Sequence, residues 1–236
     1  MEQRSALYIR AINLSWILLL SLLIWVVSLV AMGRDIRPEW HAADFLKYAQ
    51  EGHPLFFITY INAVVLTLLT SFLFSILYLV HREDQPIPAT FGLIFIPVYA
   101  LLNLVAYGSQ FLIIPMLERT YPISGLTETE VMFLSEWVQM APGTIISKIN
   151  GLGYAVLAIP SICFGLIFYQ EKPPGKIISF LLIINALSCI TGLAGLAINK
   201  PSWMLGTVLG GFLFTMAIPL IIIHFRRTIR RQITHQ

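Results

Sequence analysis

The stretch Phe91-Gly-Leu-Ile-Phe-Ile-Pro97-Val-Tyr99-Ala-Leu-Leu-Asn103-Leu-Val-Ala-Tyr107-Gly-Ser-Gln110-Phe-Leu-Ile-Ile-Pro115-Met-Leu117 contains no charged residue. It is longer than the about 20 residues that a helix needs to cross a bilayer. Within it, Tyr99, Asn103, Tyr107 and Gln110 recur at spacings of four, four and three. At about 3.6 residues per turn they share one face of a helix. Buried phenols and amides need hydrogen-bond partners, so this face turns away from lipid and towards protein or a cavity. Pro97 and Pro115 lie in the same run and free backbone carbonyls there.

Five further apolar runs flank this one, over residues 11–33, 56–80, 144–169, 177–198 and 204–225. With 91–117 they predict an all-α bundle of six transmembrane helices. Hydrophobic residues make up 57% of the 236 and charged residues 11%. Soluble domains carry about a quarter charged residues, so lipid is the main solvent of this chain. The runs and their connections fill residues 1–236 as one integral membrane domain. The first run exceeds the about 7–15 apolar residues of a signal peptide and reads as a retained helix. Cys163 and Cys189 fall inside runs and read as packing residues, without disulfide or metal spacing.

Cations set the expected orientation. Nine of fifteen Lys and Arg residues (Arg4, Arg10, Arg82, Lys172, Lys176, Arg226, Arg227, Arg230 and Arg231) fall on the side of the termini. The positive-inside rule then puts both termini in the cytoplasm. Eight of the twelve carboxylates fall on the other side, which becomes an acidic outer face. The two long outer connections, 34–55 and 118–143, each carry an amphipathic, helix-like segment expected to lie along the outer interface. Thr127 and Glu130 have capping-box spacing. Trp40, Trp137 and Trp203 fall at the expected outer boundary, where indole rings prefer to sit.

Polar and small residues stripe other runs as well. Asn185, Ser188, Gly192, Gly195 and Asn199 share a face of the fifth, and Gly206 and Gly210 form a GxxxG pair in the sixth. Packing between helices accounts for such stripes. In the fourth run Ser147, Gly151 and Ala155 make a small ridge beside Lys148, Asn150 and Tyr154. Lys148 is expected to snorkel to the outer interface, or else to pair with Glu118 or Glu136. His41 and Asp44 could supply two metal ligands, fewer than the three or four that zinc sites use. HExxH, GxSxG and Walker patterns are absent from the sequence, and no 3+3 repeat stands out.

Tyr107-Gly-Ser-Gln110, the following Pro115, the loop with Trp137 and Asn150-Gly-Leu-Gly153-Tyr154 resemble a broad set of uncharacterised prokaryotic multi-pass membrane proteins. The resemblance covers about residues 99–154. It implies a prokaryotic cytoplasmic membrane and brings neither an established activity nor catalytic residues.

The leading functional expectation is binding or transport of a small-molecule or lipid-like ligand. Tyr99, Asn103, Tyr107 and Gln110 would face Asn150, Tyr154 and Asn185 across a cavity between the third, fourth and fifth runs, open towards the outer face. One alternative is an interaction subunit or sensor that meets a partner, or a second copy, through Gly206 and Gly210. Another is a membrane enzyme acting at the outer interface through Glu118, Glu136, His41 or His53, although the sequence leans away from an enzyme. No cofactor, metal site or nucleic-acid partner is expected, and the lipid bilayer is the partner that the composition names.

Overall fold

Eight helices follow one another in the computed structural model, which describes residues 2–37, 39–120, 125–141, 143–198 and 200–234. They are α1 (Glu2–Gly33), α2 (Ala42–Gln50), α3 (Pro54–His81), α4 (Pro86–Thr120), α5 (Glu128–Ser135), α6 (Ile145–Tyr169), α7 (Gly175–Ala197) and α8 (Pro201–Thr234). Six of them, all but α2 and α5, are long and apolar enough to cross a membrane. There is no strand among the described residues. The chain is a polytopic all-α membrane protein.

The expected spans are all present, and most of the helices run past them. α1 begins at Glu2 and α8 continues to Thr234, each well beyond its apolar run. Hydropathy registers where the surrounding hydrocarbon ends, whereas helical hydrogen bonding continues into the polar flanks. Starts are set locally. Pro54, Pro86 and Pro201 each open a helix, where a missing N–H costs nothing. The Thr144 hydroxyl accepts from Ser147 N at 3.3 Å at the start of α6, and Glu136 accepts from Ile145 N at 2.7 Å. Both satisfy otherwise orphaned donors, and the carboxylate also meets the positive end of the helix. Gly143, at φ +82°, supplies the left-handed turn just before that start.

The six long helices close into a ring. α1 packs on α3, α3 on α4, α4 on α6, α6 on α7, α7 on α8, and α8 returns to α1. At the closure the Ser5 hydroxyl donates to Gln232 Oε1 at 3.1 Å. Arg4 pairs with Asp84 of the α3–α4 turn at the same end of the bundle. Asn62 of α3 and Ser21 of α1 exchange hydrogen bonds of 2.6 and 2.8 Å, stitching two helices whose sequences read mostly as scaffold.

The interior divides into two apolar clusters. One, around Phe74, Phe164, Phe168, Phe214 and Phe225, fills the half of the ring that carries the termini. The other, around Phe56, Tyr60, Tyr107, Ile114 and Val138, fills the opposite half and is capped by α2 and α5. α2 seats Phe45, Leu46 and Tyr48 inward. The Tyr48 hydroxyl donates to Asp35 at 3.1 Å. Burial, followed by that bond, pushes it up to about 12. The second connection is only partly helical. It buries Leu134 and Val138 and leaves Met132 and Phe133 exposed.

The GxxxG pair is occupied within the chain. A methyl group added at Gly206 would collide with Ser188 O of α7, and one at Gly210 would lie 2.7 Å from Cys189 Sγ. Gly192 and Gly195 of α7 press equally closely on Thr207 and on the Trp203–Met204 backbone of α8. Small residues on both helices thus serve the α7–α8 contact, and Gly206 and Gly210 pack against α7 of the same chain. Asn199 lies outside the described residues.

Candidate functional site

The polar face of α4 falls at the seam between the two apolar clusters. Tyr99 belongs to the first and Tyr107 to the second. Asn103 and Gln110 have no solvent exposure at all, and Tyr99 and Tyr107 are buried. Side chains so placed must find partners, and they do. Asn103 Nδ2 donates to Tyr99 O at 3.1 Å, and Asn103 Oδ1 accepts from Asn150 Nδ2 of α6 at 2.8 Å. The Tyr107 and Tyr154 hydroxyls share a 2.7 Å hydrogen bond, which also joins α4 to α6.

Gln110 reaches a different element. Its Nε2 donates to Trp137 O at 2.9 Å, and its Oε1 accepts from Gln139 N at 3.0 Å. The amide is thus paired like a strand residue with the backbone of the α5–α6 connection. Gln139 then extends the network with its side chain. The Tyr60 hydroxyl of α3 donates to Gln139 Oε1 at 2.8 Å, and Gln139 Nε2 donates to Asn150 Oδ1 at 3.2 Å. One half-buried glutamine outside the spanning helices therefore links α3, α4 and α6.

Two features of backbone placement permit this. The Thr144 hydroxyl folds the connection back by donating to Val138 O and Ala141 O at 3.0 and 3.1 Å. Gly153 lets α6 approach α4 closely, since a methyl group there would collide with the Asn103 amide and lie 3.3 Å from Leu102 Cβ. The Gly153 of the Asn-Gly-Leu-Gly-Tyr motif is thus a spacing requirement of the Asn103–Asn150 bond. Gly108, by contrast, is buried and has open space beside it, since an added methyl group would meet no described atom within 4 Å.

Five of the seven expected residues (Tyr99, Asn103, Tyr107, Asn150 and Tyr154) meet along the α4–α6 contact, and Gln110 joins them through Gln139. The exception is Asn185. It is buried on α7, and its Nδ2 donates to Gly210 O of α8 at 2.8 Å. Periodicity placed it on the correct face of its own helix but could not say which neighbour covers that face. The site is therefore completed by α3 and the α5–α6 connection rather than by α7. Tyr60 was legible in principle, four residues after Phe56 and three before Ala63 on the buried stripe of α3. Gln139 was not, because an irregular connection has no period.

The residues considered for chemistry at the outer interface do not converge. The His41 backbone N–H donates to Asp44 at 2.8 Å, tying that carboxylate to the start of α2. His53 lies 3.2 Å from Glu51 and stacks on Tyr48. Glu136 caps α6, Lys148 is exposed and forms no ion pair among the described residues, and the Glu118 side chain lies outside them. Among the described residues no three His, Cys, Asp or Glu side chains come together.

In comparison with known proteins, no family model, no curated protein and no solved structure matches this chain.

Proposed function

We propose that this protein binds or transports a small polar or amphiphilic ligand through the polar seam between α3, α4 and α6, with the α5–α6 connection as its cover. The observation that carries this reading is Gln139. The interior amides of Gln110 and Asn150 and the hydroxyl of Tyr60 are satisfied by a segment that does not span the bundle. A ligand with an amide-like donor and acceptor could replace Gln139 without leaving a buried polar group unpaired, which is what makes exchange affordable. The buried Ser109 hydroxyl adjoins the same network, accepting from Gln110 Nε2 at 2.7 Å. The cation excess at the end with the termini supports a cytoplasmic position for that end, which would leave the α5–α6 cover on the outer side.

The test uses the near-isosteric Ser109→Cys, beside Gln110 in the network, in a Cys163→Ala, Cys189→Ala background. Gln139→Ala is expected to raise labelling by a small thiol reagent added from outside at least about tenfold, by removing the cover's anchor. Molecules that co-purify with the wild type, read by native mass spectrometry, are expected to be lost in Asn103→Ala. Unchanged labelling together with no co-purifying molecule sinks the reading.

A second reading has its own support. Every amide in the network already has a partner, which suits a permanent clamp that orders the bundle. A clamp predicts slow labelling in both backgrounds and a lower unfolding temperature for Gln139→Ala.

A further inference from the structure

Away from the seam, the end that carries the termini holds a pocket of about 320 Å³ between the α6–α7 turn and the last turns of α8. Its walls include Lys172 from the turn and Arg227 and Arg231 from α8, against a single carboxylate, Glu171. None of the three cations forms an ion pair among the described residues. Arg227 and Arg231 stand four apart and so project from one helix face, an arrangement that repels itself unless an anion lies between the two groups. Nearby Arg226 is engaged elsewhere, with its guanidinium over the Trp16 ring at 5.8 Å.

The rest of the wall is firm. Pro173 and Pro174 form the turn side, and the His224 ring on the opposite side packs edge-on against Phe168 at 5.5 Å between centroids. Gln170 contributes a donor: its Oε1 accepts from Gln85 Nε2 at 3.0 Å, which leaves its own amide N–H groups for the pocket. Two arginines, a lysine and a glutamine thus line a cavity of small-ligand size. Planar guanidinium forks match tetrahedral oxyanions, and phosphate is the common one at a membrane surface. The apolar run of α8 ends at residue 225, just before Arg227 and Arg231, which puts the pocket at the level expected of lipid headgroups.

We propose that this pocket is a phosphate-binding site, filled by the headgroup of an anionic phospholipid or by free phosphate. This goes beyond a basic tail that anchors α8 non-specifically, because it requires the residues of the pocket and not merely their charge.

The full chain is reconstituted in nanodiscs of phosphatidylcholine, with or without a minor fraction of phosphatidylglycerol. Retained lipid is counted by native mass spectrometry, and the unfolding temperature is followed as inorganic phosphate is added. Arg227→Gln/Arg231→Gln is compared with Arg226→Gln/Arg230→Gln, which removes the same charge outside the pocket. The expected result is preferential retention of phosphatidylglycerol, weakened about thirtyfold in the pocket variant and little changed in the other. Stabilisation by phosphate, lost in the same variant, with no preference for phosphatidylglycerol, supports the site with free phosphate as its source. If the pocket variant fails to fold, the exposed turn variant Lys172→Gln carries the comparison, with a smaller loss in the same direction. Equal losses in both double variants, or no response to either anion, overturn the proposal.

Discussion

At the scale of single residues, the seam depends on contacts that tolerate little displacement. Gly153→Ala forces a methyl group into the Asn103 amide, so either the Asn103–Asn150 bond or the α4–α6 spacing must give way. The expected cost is about 1–3 kcal/mol, read from reversible unfolding in detergent. Gly108→Ala is the control. The space beside it is open, and the loss of a glycine from a helix interior should stabilise by about 0.5–1 kcal/mol. Equal destabilisation by both would mean that the network does not discriminate between the two positions. Much of this seam was legible in the sequence, because Tyr99, Asn103, Tyr107 and Gln110 announce a buried polar face by period alone. Their partners were legible only where they too lie on a periodic element, as Asn150 and Tyr154 do. Gln139 and the Trp137 carbonyl come from irregular chain, and a backbone acceptor carries no signature in residue identity.

At the scale of elements, apolar runs located every long helix but not its ends, because the hydrocarbon boundary and the last helical hydrogen bond are different events. The short helices depend instead on local chemistry. The Thr127 backbone N–H donates to Glu130 at 2.8 Å and its hydroxyl at 2.7 Å, and together they hold the Glu130 carboxyl below the usual carboxylate range. A depressed folded pKa means that folded α5 binds fewer protons than the unfolded segment. Its capping stabilisation is therefore present above the ordinary glutamate pKa and is lost as pH falls through the folded value. Amide exchange over 128–135, normalised for intrinsic rate, should accelerate on acidification in the wild type and be insensitive to that change in Glu130→Gln. The α7–α8 pair makes the opposite kind of demand. Gly206→Leu drives a side chain into the Ser188 carbonyl and the Gly192 backbone of α7. It should cost at least about 1–3 kcal/mol by overpacking, whatever the oligomeric state. Gly211→Ala, with open space beside it, should instead stabilise by about 0.5–1 kcal/mol, as at Gly108. A GxxxG spelling marks a close helix contact, but the sequence does not say whether the neighbour belongs to the same chain, and here α7 takes it.

At the scale of the whole molecule, the ring is the feature least visible in the sequence. Six spans fix that both ends of the bundle emerge on one side, but not that the first span touches the last. That closure rests on α1 packing against α8 and on the Ser5–Gln232 hydrogen bond of 3.1 Å. It has a physical consequence. Each long helix packs between at least two others, so lipid meets outward faces such as those of Val27, Phe72, Leu101, Phe180 and Phe212, all exposed. Closure and orientation can be tested together with Ser5→Cys/Gln232→Cys in the Cys163→Ala, Cys189→Ala background. A short membrane-permeant bis-maleimide should link the two cysteines within one chain, giving a faster-migrating monomer on denaturing gels. On the cytoplasmic placement of the termini that we propose, an impermeant reagent added to intact cells should leave both unmodified. The pair should also remain reduced in growing cells, as cytoplasmic thiols do. Crosslinking only between chains would mean that α1 and α8 meet across a dimer and that the ring is open in the membrane. Modification by the impermeant reagent would invert the bundle, and the pocket at Lys172, Arg227 and Arg231 would then face outward with the termini. The two outcomes are independent, because closure is decided by helix packing and orientation by the charges that flank it.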